Sequence, residues 1–94
     1  MRVDDVMWLP DIVDKLLSKH GVTTKEVEEV FLNQPRFRFR QRGHVAGEDL
    51  YLALGRADGG RYLSVFFIFK PGNVALVISA RDMDAAEVRS YGRK

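Results

Sequence analysis

No cysteine occurs among the 94 residues, which excludes a disulfide framework and all thiolate chemistry, cysteine-ligated zinc included. Histidine is nearly as scarce. His20 and His44 lack metal-ligand spacing, so no metal is expected. No apolar run approaches the roughly 20 residues of a membrane-spanning helix. The segment from Met1 to Pro10 has neither a basic start nor a small-residue cleavage site, so no export signal is expected. Repeats, linkers and low-complexity tracts are missing too. What is present suffices for a core: 46% of the residues are hydrophobic, within the range of one small domain spanning residues 1–94. The expectation is a soluble, cytoplasmic domain with no cofactor and no membrane contact.

Charge is unevenly spread. Residues 1–30 carry seven acids and four bases, a net of −3, whereas residues 31–94 carry eleven bases and six acids, a net of +5. Ten of the fifteen bases are arginine, the residue suited to forked contacts with phosphate or carboxylate. A polyanionic partner on the C-terminal two thirds would account for this, as would an ordinary basic face.

Periodicity predicts the elements. A first helix starts near Pro10, buries Ile12, Val13, Leu16 and Leu17, and ends at Gly21, with Lys19 and His20 against its negative end. Thr23 and Glu26 form a capping box for a second helix, stapled by Val22 and Val27, which runs to Asn33-Gln34-Pro35. From Arg36 to Arg42 the period becomes two, placing four guanidiniums on one strand face and Phe37 and Phe39 on the other. Strands at Leu50–Leu54, Tyr62–Phe69 and Val74–Ala80 follow. A type I′ turn is expected at Asp58-Gly59 and a type II turn at Pro71-Gly72. Asp84 and Glu87 cap a last helix, with Met83 and Val88 as its staple. The fold class is α+β: two N-terminal helices, a four-stranded antiparallel meander and a C-terminal helix, in the order ααββββα, with the helices packed on one face.

Several segments, in order and spacing, resemble one family. Lys19-His20-Gly21-Val22 with Val30-Phe31 is similar to the KHGV…VF signature of the BrnT toxins. Gly47-Glu48, Gly55 and Gly60 resemble its GE…G…G stretch, Ile78-Ser79-Ala80-Arg81 its ISAR motif, and Glu87…Tyr91 its terminal E…Y. The resemblance covers roughly residues 8–91. It implies a RelE-like fold and a type II toxin–antitoxin ribonuclease that needs no metal. It also implies a cognate DNA-binding antitoxin, with which the chain would form a hetero-oligomer. Lys70 stands where the family has an arginine, and Leu76 and Val88 replace two more. The Arg36–Arg42 ladder lies outside the signature.

Metal-free RNA cleavage needs a base for the 2′-hydroxyl, cations for the phosphorane and an acid for the 5′-oxygen. The candidates are Lys19, His20, Lys70, Arg81 and Tyr91. Four of the five have a plainer reading. Lys19 and His20 stabilise a helix end; Arg81 pairs with Asp82, Asp84 or Glu87; Tyr91 closes the core; Glu87 is structural. Ser79 has no His–Asp partner in view. Arg36, Arg38, Arg40 and Arg42 repeat at about 6.6–6.8 Å on a strand face, near the phosphate spacing of an extended single strand. They and Arg61 are candidates for binding RNA or an acidic antitoxin segment, and charge that guards an edge strand is the third reading. A non-catalytic nucleic-acid- or protein-binding module on the same fold is the competing function, and a scaffold subunit a lower one.

Overall fold

The computed structural model describes residues 1–93. Strand β1 (Asp5–Met7) precedes helices α1 (Pro10–His20) and α2 (Thr24–Leu32), followed by strands β2 (Arg36–Gln41), β3 (Leu50–Arg56), β4 (Tyr62–Lys70) and β5 (Val74–Asp82) and helix α3 (Ala85–Gly92). The sheet runs β1-β5-β4-β3-β2. Strands β2 to β5 form the expected antiparallel meander, but β1 adds a fifth strand, parallel to β5. The sheet is therefore mixed, and the order βααββββα replaces ααββββα. Three residues are too few to carry an alternation. The strand is held from outside, by an Asp4 N–H donated to the Asn73 carbonyl at 2.8 Å and by the Asn73 amide on the Asp4 carboxylate at 3.0 Å.

The helix ends follow their local chemistry. Pro10 opens α1, and Gly21 closes it in the left-handed region at φ 59°. Both capping boxes form, Thr23 with Glu26 and Asp84 with Glu87. The β3–β4 connection differs from expectation. The Gly60 N–H bonds the Ala57 carbonyl at 2.8 Å, and positive φ falls on Gly60 at 95°, not on Asp58 or Gly59. A turn with negative φ at its centre followed by a left-handed glycine replaces the type I′ turn.

Helices α1 and α2 cover one sheet face. Leu16, Val22, Val27 and Val30 pack there on Ala53, Leu63, Val65, Phe67, Ala75, Val77 and Ala80. Leu17 does not join them: it is 60% exposed, because α1 meets the sheet mainly along β5. Phe31, Phe37 and Tyr51 cluster around Phe67, with ring centroids 5.3–5.9 Å from its own. At Gly55 the backbone of β3 comes so near α2 that an added Cβ would lie 2.8 Å from Val30 Cγ1. Strand pleating sends Leu52, Leu54, Ser64, Phe66 and Arg81 to the other face, and α3 covers that face in part, so the helices do not share one face as expected. That half-covered face holds the candidate site.

Candidate active site

Arg81 occupies the last full turn of the pleat on β5, opposite Ser64, with its guanidinium carbon 5.3 Å from the centre of the Phe66 ring. It donates to both carboxylate oxygens of Glu87, at 2.6 and 2.9 Å, and to the Asp82 carbonyl at 3.1 Å. Glu87 also accepts the Asp84 N–H at 2.9 Å as part of its capping box. Burial pushes the Glu87 carboxyl up, but the hydrogen bonds from Arg81 and the Asp84 backbone outweigh it and hold the group below its ordinary value. The Ser64 hydroxyl, fully buried and without a hydrogen-bond partner of good geometry among the described residues, faces the same carboxylate and adds to the lowering.

Beside this pair lies an open cavity of about 480 Å³ between α3 and the sheet, lined by Arg38 and Arg40 of β2, Leu52 and Leu54 of β3, Arg81, and Asp84, Glu87 and Ser90. Three cations thus converge on one hollow with a leucine floor. The ladder itself is interrupted. The register shifts between Phe39 and Gln41, so Arg40 sits in a bulge, and Arg42 lies beyond the strand end. Four arginines in one straight row are corrected to Arg36 and Arg38 in row, with Arg40 re-aimed by the bulge.

The other candidates lie elsewhere. Lys19 and His20 line a separate cavity of about 170 Å³ with Lys15, Ile78 and Ser79. The charge of His20 helps lower the Asp82 carboxyl, although the Arg61 hydrogen bond is the larger cause, and the Asp82 side chain lies on the sheet face opposite Arg81. Tyr91 packs edge-on to Tyr62, centroids 5.9 Å apart, at a hollow shared with Asn33, Arg56 and Asp58. Lys70 ends β4 opposite Val74, six residues along the strand from Ser64, or roughly 20 Å at 3.3–3.4 Å per residue. Arg61 is engaged within the fold: it bonds the Asp82 carboxylate at 2.7 and 3.2 Å, the Gly21 carbonyl at 2.7 Å and the His20 carbonyl at 2.8 Å. Asp84, Glu87 and Ser90 as cavity walls were not foreseen, because capping accounts for the first two and no sequence signal tells that α3 folds back over the sheet. Among the described residues, no three His, Asp or Glu side chains converge as a metal cluster, and no helix is long and apolar enough to cross a membrane.

Comparison with known proteins supplies a family. Residues 8–87 match the model described as "Ribonuclease toxin, BrnT, of type II toxin-antitoxin system". Among solved structures, the chain is similar to the Brucella abortus ribonuclease toxin BrnT, with a TM-score of 0.63, 21% identity, and coverage of 85% of this chain and 96% of that one. At that identity the likeness speaks for the fold alone. No curated protein sequence matches.

Proposed function

The chain belongs to the BrnT family of ribonuclease toxins of type II toxin–antitoxin systems, and from that premise we propose that it cleaves RNA without a metal in the cavity between α3 and the sheet. The observation that carries the reading is the convergence of Arg38, Arg40 and Arg81 on that one hollow. A phosphorane carries more negative charge than the phosphodiester it forms from, so fixed guanidiniums stabilise the transition state more than the ground state. The substrate phosphate takes over Arg81 from Glu87, since the fork fits either anion.

Released from Arg81, Glu87 loses the contact that lowers its pKa most strongly and becomes the base that removes the 2′-hydroxyl proton. The 2′-oxygen attacks phosphorus, the bond to the 5′-oxygen breaks, and a 2′,3′-cyclic phosphate forms. The departing 5′-oxygen takes a proton from solvent in the open cavity, and His20, in its separate cavity with Lys19, serves the flanking RNA. Lys19, Lys70 and Tyr91 then act on flanking parts of the RNA rather than at the scissile phosphate. A cognate DNA-binding antitoxin, encoded beside the toxin, neutralises it in the cytoplasm through a hetero-oligomer.

A second reading has an observation of its own. Glu87 already fills the fork of Arg81, and the family resemblance implies arginines at the positions held by Leu76 and Val88. Both features suit a module that binds RNA or protein without cutting. Cleavage rates of the wild type, Arg81→Ala, Glu87→Gln and His20→Ala on a labelled RNA decide between them. The first reading predicts a loss of about a hundredfold or more for Arg81→Ala, the scale of removing one oxyanion donor. Equal rates for all four chains would refute it.

A further inference from the structure

We infer that the outer edge of β2 docks an extended peptide segment in which acidic and apolar side chains alternate. Strand β2 pairs only with β3 and ends the sheet, so its far side offers a row of backbone N–H and C=O groups to an added strand. The alternation of β2 then dictates the partner. Arg36 and Arg38 stand opposite Leu54 and Leu52 on the α3 side, while Phe37 and Phe39 stand opposite Ala53 and Tyr51 on the helix side. Side chains of an added strand lie beside those of the same face. Carboxylates therefore meet Arg36 and Arg38, and apolar groups meet Phe37 and Phe39.

Two further observations favour that occupant. Arg2, Arg61 and Arg81 all hold carboxylates, whereas Arg36, Arg38, Arg40 and Arg42 form no ion pair among the described residues. Phe39 is 58% exposed and touches one aromatic neighbour, Tyr51, edge-on at 5.7 Å. RNA would neutralise the arginines but leave the edge amides unpaired. A peptide satisfies both. The consequence rests on the ribonuclease reading: a segment laid along β2 withholds Arg38 from the cavity, so the peptide is also an inhibitor.

The test titrates a fluorescent synthetic peptide of alternating glutamate and valine against the full chain, read by anisotropy. Binding should saturate, weaken with salt, and fall about tenfold in an Arg36→Gln, Arg38→Gln chain, whose fold is checked by circular dichroism. N-methylation of alternate peptide amides keeps every charge and should weaken binding to a similar degree. Undiminished binding of the methylated peptide would overturn the inference. So would a glutamine variant that loses RNA retention yet binds peptide as before, which makes the edge an RNA track. No peptide binding by wild type, with aggregation of an Arg36→Val, Arg38→Val chain, reduces the arginines to guards and overturns it too. A Glu87→Gln chain should bind peptide as wild type does. Peptide binding without any RNA cleavage therefore removes the ribonuclease reading alone, and cleavage without peptide binding removes this one alone.

Discussion

Removing the Arg61 side chain should cost stability and leave RNA binding intact. Its guanidinium ties three elements to the β3–β4 hairpin: β5 through Asp82, the end of α1 through the His20 and Gly21 carbonyls, and α2 through Glu26 at 3.4 Å. The ion pair with Asp82, whose side chain is 64% exposed, contributes only about 0.5–1 kcal/mol. The two carbonyl bonds have a charged donor that is mostly sheltered, and each contributes about 1 kcal/mol after solvent replaces them. Arg61→Ala should thus lose about 2–3 kcal/mol, which in a chain of this size lowers the melting temperature by about 10–20 °C. Arg61→Lys keeps an ion pair but not the fork, so it should recover less than half. Thermal melts by circular dichroism give the first number, and the salt dependence of RNA retention gives the second. A melting temperature within about 3 °C of wild type would refute the energetics. A drop of about one in the salt slope would refute the structural assignment, since that is the signature of a lost phosphate contact.

Gly55→Ala should destabilise by about 1–3 kcal/mol, because the new methyl meets Val30 Cγ1 at 2.8 Å and Pro35 Cβ at 3.3 Å; urea unfolding checks it. Glu87, Asp82 and Asp4 all have carboxyls held below their ordinary values in the folded chain. Their stabilisation is complete above the ordinary carboxylate range and is lost as pH falls through the lowered values. Unfolding free energy should therefore decline on acidification below that range, with a shallower decline in Glu87→Gln; an identical pH profile would exclude Glu87 as a contributor. Replacing Arg36, Arg38, Arg40 and Arg42 together by glutamine should flatten the salt dependence of RNA retention, and an unchanged slope in a filter-binding assay would remove them from the RNA path.

Signals confined to one turn of chain were legible without coordinates. Thr23 with Glu26, Asp84 with Glu87, and Gly21 after Lys19-His20 each define a helix end by hydrogen bonds within a few residues. Features set by distant partners were not. Strand β1 exists because Asn73, sixty-nine residues from Asp4, holds its start. The bulge at Arg40 depends on the register against β3, which a strict Arg-Phe alternation does not reveal. For the candidate site, Arg81 and the arginine strand could be named from sequence, whereas the cavity that joins them is made by α3 folding back over Leu52 and Leu54. Arg61 reads as a free cation in sequence because the carbonyls it serves lie forty and forty-one residues away.

Incubation of the purified chain with end-labelled RNA in EDTA tests the central claim most directly, with the Arg81→Ala, Glu87→Gln chain alongside. The account predicts fragments ending in a 2′,3′-cyclic phosphate from wild type and none from the double variant. Fragments that appear only with added magnesium, or equally from both chains, would contradict it.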